Sequence, residues 1–393
     1  MEVEVSPATG GGNLLFCVRG TLLRRTRMSS LADFVNLSLA PFSWRRDLGD
    51  RLRSGESPAA AILEALAPAD AEGQLTLERL PALGRRALDR AERDGAMPVT
   101  WADPAYPPAL KHIYDPPPLL WLKGVPAVLA RPMVAIVGAR AASPSALAVA
   151  EQFAGDLAAQ GIVVVSGMAR GVDSAAHGGA LAAGGATVAI LGSGVDVVYP
   201  PEHAPLAASI AGSGALVSEL APGTRPLQWF FPLRNRIISG LSRAVVVIEA
   251  GRKSGSLITA RCALEQGRDV LAVPGNVLGG RNQGGHALLR DGAKIVESAD
   301  DILDELNFGQ ECAAVNPRRG SAASEEQLPS REGRVTDPIL ACLVPGELFD
   351  IEAIAARSGL DPAQLLPRLV KLELDGRVQR AGGGRFIRLD RSC

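Results

Sequence analysis

The chain has 393 residues, more than a single hydrophobic core usually supports, so two or three domains are expected. Hydrophobic residues make up 47% and charged residues 21%, which excludes a disordered or collagen-like chain, and no apolar run approaches the roughly 20 residues of a membrane helix. The net charge of −1 excludes a globally basic nucleic-acid binder, so an anion site must be local and depends on where the arginines sit.

Residues 1–30 read as a tail, or as translation upstream of a start near Met28. The short apolar stretch Asn13–Val18 precedes the basic stretch Arg19–Arg27, the reverse of a secretory signal. Cys17, Cys262, Cys312, Cys342 and Cys393 are scattered, with no C-x-x-C pair and no histidine at ligand spacing, so reduced thiols, a cytoplasmic location and no metal are expected. Residues 31–105 read as a small helical domain in which FSWRRDLGDRL and SPAAAILEAL are two helices. Prolines 104, 107, 108, 116, 117 and 118 forbid a regular helix and mark its boundary.

Residues 106–306 alternate apolar strand patterns with helical ones. The strands are Met133–Val137, Ile162–Val165, Thr187–Leu191, Ala215–Val217, Ala244–Ile248, Val270–Val273 and Ala293–Val296. The helices are Ser145–Gln160, Asp173–Ala183, Glu202–Ala211, Leu233–Leu241, Ser256–Gln266 and His286–Asp291. Strands without polar alternation are buried on both faces, so the class is α/β: an extended Rossmann-like, doubly wound, mostly parallel sheet. Residues 307–335 read as a linker rich in Gly, Ser, Pro and mixed charge. Residues 336–393 read as three helices and a hairpin tipped by Gly382–Gly384, a winged-helix domain. Its third helix, Asp361–Asp375, sets Arg368 and Lys371 against Asp361, Glu373 and Asp375, with a kink expected at Pro367. Such a helix suits protein contact or a structural role better than groove reading, which disfavours a transcription regulator.

In an open parallel sheet the ligand sits beyond the carboxyl ends of the strands. Gly138, Arg140 and Ser143 follow the first strand, and Gly167, Arg170, Gly171 and Asp173 follow the second. Arg140 stands where a dinucleotide fingerprint needs its middle glycine, and Ser166 ends the second strand where an acid would hold a ribose. Gly251-Arg252-Lys253-Ser254 does not satisfy a P-loop either. What remains is one edge bearing Arg140, Arg170, Arg234, Arg236, Arg252 and Lys253, with Ser254, Ser256 and Thr259 at a helix start. That is more cationic groups than one nucleotide requires, and it suits a strand of linked phosphates. Trp229, Phe230 and Phe231 offer rings on which bases could stack. Taken singly, each residue also has an ordinary role: glycines make turns, Asp173 and Ser254 cap helices, His177 packs. A nucleotide-processing hydrolase of the phosphoribohydrolase type is the rival reading. Its PGG-x-GT loop is missing from Pro274–Gly280, and Asp173, Glu219 and Glu249 occur singly, so no catalytic residue is assigned.

VGAR (137–140), SGMARGVDSAAH (166–177), LGSGVDVVYP (191–200), SEL-PG-P (218–226), FPLRNRIISGLS (231–242), VVVIEA (245–250), KSGSLITA (253–260), AL-QGRDVLAVPG (263–275) and DGA (291–293) follow one another in order. Together they resemble the DprA (DNA-processing protein A, Smf) family. The resemblance implies a cytoplasmic homodimer without cofactor that binds and protects single-stranded DNA and loads the RecA recombinase during natural transformation. It implies a SAM- or helix-hairpin-helix-like domain before the Rossmann domain. It assigns DNA contact to Gly138 and Arg140 of the VG-x-R loop and to Gly167, Arg170 and Gly171 of the SG-x-A-[KR]-G loop. Phe231, the RNR segment (Arg234, Asn235, Arg236) and Lys253, Ser254, Gly255, Ser256 and Thr259 frame the same pocket. Two positions depart from the family pattern: Ala139 replaces the usual serine, and His286 stands where asparagine is usual.

Overall fold

Six runs of small and branched apolar residues form parallel strands in the computed structural model, which describes residues 30–40, 42, 48–54, 79–306, 337–343, 347–374, 377–381 and 385–388. These are β3 (Met133–Val137), β4 (Val163–Ser166), β5 (Thr187–Ile190), β6 (Ala215–Ser218), β7 (Ala244–Val247) and β8 (Asp269–Ala272). Two antiparallel strands, β1 (Met97–Thr100) and β2 (Leu119–Gly124), extend one edge, and the two-residue β9 (Lys294–Ile295) ends the other. The nine strands lie in the order β1-β2-β6-β5-β4-β3-β7-β8-β9.

The antiparallel edge corrects the sequence expectation. Met97–Thr100 pairs with β2 and so joins the sheet rather than the helical region before residue 105. Pro98 in one strand and the prolines ahead of the other hide the pair, because proline weakens any strand pattern. The remaining strands fall within a residue or so of their expected limits.

Helices α5 (Pro144–Ala159), α6 (Val172–Ala182), α7 (Ala204–Ser213), α8 (Phe230–Leu241) and α9 (Ser256–Glu265) connect the parallel strands. Ile237, Ile238 and Leu241 of α8 and Ala260 and Ala263 of α9 cover one face of the sheet, while Phe153 and Leu157 of α5 and Val172 and Ala176 of α6 cover the other. The chain steps outward from β3 to β6 and then returns to place β7 on the free side of β3. The strand order therefore reverses between β3 and β7, and that switch point opens a crevice at the carboxyl ends. Helix α8 starts at Phe230 rather than at the expected Leu233, because Pro232 sits in a first turn that needs no N–H from it. Helices α10 (Gln283–Arg290) and α11 (Ala299–Glu305) complete this part.

Among the described residues, α1 (Leu31–Leu39), α2 (Leu48–Ser54) and α3 (Leu80–Arg93) precede the sheet, and the single turn α4 (Pro108–Lys111) lies between β1 and β2. Ser30 and Asp33 form a capping box that fixes the start of α1. Phe34, Leu37, Leu48 and Leu80 pack in one cluster with Trp121, Leu191 and Ile210, so this region shares its core with the sheet. Helix α2 overlaps the second half of the expected FSWRRDLGDRL helix and runs two residues past it, and α1 adds one beyond the expected pair. The SPAAAILEAL helix, the tail before residue 30 and the linker lie outside the described residues.

Near the end of the chain, α12 (Pro338–Cys342), α13 (Ile351–Ser358) and α14 (Pro362–Leu374) surround a core of Ile339, Ile354, Leu365, Leu369 and Phe386. The hairpin strands β11 (Val378–Ala381) and β12 (Arg385–Arg388) are joined by β10 (Leu348–Asp350), whose Phe349 pairs with Phe386. That third strand completes a winged-helix domain, and α14 continues through Pro367.

Candidate nucleic-acid interface

Two glycine turns bring the β3 and β4 loops into contact. A Cβ on Gly138 would lie 2.6 Å from the Val172 side chain, and one on Gly171, where φ is +80°, would lie 2.3 Å from the Ala139 carbonyl. Only glycine fits, and the Val172 N–H then reaches the Ala139 oxygen at 3.2 Å. Ser143 caps α5 and also ties this loop to β7: its N–H and Oγ donate to the two oxygens of Glu249, at 3.1 and 2.6 Å. Glu249 thus holds the loop that carries Arg140 across the switch point. No local sequence pattern announces it, because its partner lies 106 residues away.

Beyond the strand ends opens a cavity of about 760 Å³. Of the residues singled out in the sequence, Gly138, Arg140, Phe231, Arg234, Asn235, Lys253, Ser254, Gly255, Ser256 and Thr259 line it. Asp173, from the first turn of α6, and Tyr199, Gln228 and Gly251, from neighbouring loops, join them. Arg140 and Lys253 are exposed, one from each half of the sheet, and neither forms an ion pair with another described residue. The Arg140 guanidinium lies 5.6 Å from the centre of the Phe231 ring, and Tyr199 packs on the same ring at 5.5 Å.

The start of α9 supplies the other donors. Ser254 Oγ lies 2.7 Å from Ser256 Oγ, and Asn235 Nδ2 holds the Gly255 carbonyl at 3.3 Å. Thr259 is only 2% exposed, lines the cavity and makes no hydrogen bond through its hydroxyl to another described residue. That leaves the hydroxyl available to a polar ligand in the cavity. The N-terminus of α9 adds its positive dipole end, while the amides of Ser256, Leu257 and Ile258 donate to Ser254 and Gly255.

Four residues of the expected set do not line the cavity, and Arg234 lines it in a different role. Gly167 and Gly171 are packing glycines: a Cβ on Gly167 would strike the Arg234 guanidinium. Arg234 is 7% exposed and donates to the carbonyls of Gly167 and Ile190, bridging the ends of β4 and β5, while its Nε reaches Asn235 Oδ1 at 3.2 Å. It forms the floor of the cavity rather than a free phosphate ligand. Burial lowers its pKa to about 10, against the pull of Asp173, so it stays charged at neutral pH. Asp173 is itself raised by burial, opposed by Arg234 and by the Ala169 N–H at 3.2 Å.

Arg236 turns away altogether: it binds both oxygens of Glu219, at 2.8 and 2.7 Å, and approaches Asp115 at 3.3 Å. Residues two apart on a helix stand about 200° apart, so Arg234 and Arg236 cannot serve one site. Arg170 is exposed but paired with Glu202, its Nε 2.6 Å from the carboxylate. Of the expected stacking rings, Phe230 is buried, and Trp229, 53% exposed, packs on Phe230 and meets Phe42 edge-on at 5.7 Å. His286 lies outside the cavity, its Nε2 3.1 Å from the Gly275 oxygen.

His177 is wholly buried, its Nδ1 2.7 Å from Thr187 Oγ1, which in turn donates to the Val164 oxygen. The imidazole therefore donates to the hydroxyl. Burial first, then Arg234 and His203, lower its pKa to about 3, which keeps it neutral and confines it to packing. Among the described residues no group of three or more His, Cys, Asp or Glu could hold a metal, and no helix is long and apolar enough to cross a membrane.

Fold and site together define a Rossmann-like α/β protein with an anion-receptive carboxyl edge, followed later in the chain by a winged helix. The family model for DNA recombination-mediator protein A matches residues 97–307, and that for the DprA winged helix domain matches residues 322–384. Protein Smf of Escherichia coli is 39% identical over 289 residues, covering 73% of this chain and 76% of the relative. DNA processing protein DprA of Streptococcus pneumoniae is 47% identical over 206 residues, 52% of this chain and 73% of that protein. The X-ray structure of the DprA from Streptococcus pneumoniae aligns at a TM-score of 0.57 with 35% identity, covering 71% of this chain and 99% of that one. The chain belongs to the DNA recombination-mediator protein A family, also called DprA or Smf.

Proposed function

We propose that this protein binds single-stranded DNA along the carboxyl edge of its sheet, without catalysis, and serves DNA processing during natural transformation. The observation that carries this reading is the pairing of Arg140 and Lys253, two cations without carboxylate partners among the described residues, across a cavity too large for one phosphate. Phe231 and Tyr199 stand beside them, so phosphate contact and stacking are available to one ligand, as single-strand binders require. The names of the relatives, DNA processing proteins, agree with it.

The hydrolase alternative loses its candidate bases. Glu249 is occupied by Ser143, Glu219 by Arg236, and Asp173 is buried against the Ala169 amide. In this reading the chain works as a cytoplasmic homodimer that shields the strand and passes it to the RecA recombinase.

Fluorescence anisotropy with a labelled oligo-dT and a matched duplex, at two salt concentrations, tests the site. Wild type should prefer the single strand, and Arg140→Ala/Lys253→Ala should lose that preference. Equal binding by the folded variant would remove the assignment, and absence of single-strand binding by wild type would remove the function.

A further inference from the structure

The loop that follows β8 carries two of the most exposed apolar side chains of the described residues, Val277 at 76% and Leu278 at 77%. Neither belongs to a hydrophobic cluster of the core. The loop is nevertheless held firmly. Asn282 accepts from the Ala250 N–H at 3.1 Å and donates to the Val273 carbonyl at 3.2 Å, fixing the base of the loop to the ends of β7 and β8. Asn276 caps the Leu278 N–H at 2.7 Å, and Gly279 and Gly280, with φ of +74° and +70°, turn the chain sharply back.

The loop also adjoins the cavity. Arg281 donates to the carbonyl of Ala141, the residue after Arg140, at 3.0 Å. Gly251 lines the cavity, and a Cβ there would sit 3.9 Å from the Arg281 oxygen. An apolar tip is therefore anchored to the wall that presents Arg140 and Lys253. A second exposed apolar pair, Leu227 and Trp229, brackets Gln228, which also lines the cavity.

A ligand that meets cations and exposed aliphatic groups side by side needs a charged backbone and apolar flat faces in alternation, which describes a single strand with unstacked bases. We infer that Val277 and Leu278 form a lip of the interface on which bases rest while their phosphates are held at Arg140 and Lys253. This inference rests on the single-strand reading above and adds the path of the strand, out over the β8 loop. Continuity of the loop with the cavity wall, through Arg281, favours the strand over a second copy of the chain.

The test compares the full-length wild type, Val277→Ser/Leu278→Ser and Leu278→Trp on oligo-dT and on an oligonucleotide of equal length bearing abasic sites. On oligo-dT the double serine variant should bind about fivefold more weakly, within the range of a lost base contact, and on the abasic strand it should bind like wild type. Leu278→Trp should keep wild-type affinity or better and show fluorescence quenching by dT beyond that of wild type, whose exposed Trp229 stands beside the cavity. Unchanged dT binding by the serine variant, an equal loss on both strands, or a changed oligomeric state with unchanged DNA binding would each overturn the lip. Failure of wild type to bind oligo-dT at all, or binding that ignores Arg140→Ala/Lys253→Ala, would instead strike the site assignment itself.

Discussion

Cations at the β3 and β7 ends of the sheet and cations at the β4 side meet opposite fates. Arg140 and Lys253 reach the cavity with no carboxylate partner among the described residues. On the other side Arg170 is held by Glu202, Arg234 by the carbonyls of Gly167 and Ile190, and Arg236 by Glu219 and Asp115. The charge available to a ligand is thus much smaller than the charge written in the loops. A chain with a net charge of −1 can still attract a polyanion locally, because Arg140 and Lys253 stand unpaired at the cavity while Arg170, Arg234 and Arg236 are engaged within the fold.

Mutations can break this contrast, and the largest effect belongs to the engaged side. Arg236→Ala strands Glu219, which is buried, and should cost about 4 kcal/mol in urea unfolding, as removal of one partner of a buried pair does. The folded fraction should still bind the single strand as wild type does.

The pH dependence of stability comes next. His177 has a folded pKa of about 3 against an ordinary value of 6.5, so the unfolded chain takes up a proton that the folded chain refuses. Its contribution is fully present above pH 6.5, declines as pH falls below that value and is gone below about 3. Between pH 6.5 and 5 the loss should approach about 2 kcal/mol, and His177→Gln should flatten the slope of unfolding free energy against pH by about one proton. An unchanged slope would show that the imidazole is not held neutral.

On the unpaired side, Arg140→Ala/Lys253→Ala should leave the urea midpoint unchanged but weaken oligo-dT binding about tenfold. The slope of log K against log salt should fall in magnitude by about 1.4, the value for two phosphate contacts on a single strand. The smallest effect sharpens the comparison. Glu202→Gln releases Arg170, and binding at low salt should tighten by about twofold, since an exposed ion pair restrains its partner only weakly. No change would place Arg170 outside the path of the strand.

Much of this was legible in the sequence. The runs from Met133 to Ala272 read directly as buried parallel strands, because nothing polar interrupts them. The cavity loops were legible from glycines and hydroxyls after those strands, and ten of the fourteen residues singled out line the cavity. What stayed hidden depends on distance or on side. Glu249 acts through Ser143, far away in the chain, and Tyr199 and Gln228 arrive from loops without regular pattern. Arg236 is the instructive miss: its identity suggests a phosphate ligand, but the helical period turns it to the opposite side from Arg234. Strands β1 and β2 were obscured by prolines whose effect on the pattern is local, while the pairing that makes them strands is not.

The meeting of β3 with β7 makes the site a seam. Arg140 belongs to the first half of the domain and Lys253 to the second, and the Ser143–Glu249 bond is the stitch between them. In the proposed binding mode a strand lying across both cations would be a further stitch, so that occupancy and the integrity of this junction would rise together. The cavity does not exist in either half alone: it comes into being when the two halves of the sheet close, and a ligand spanning it would resist their parting.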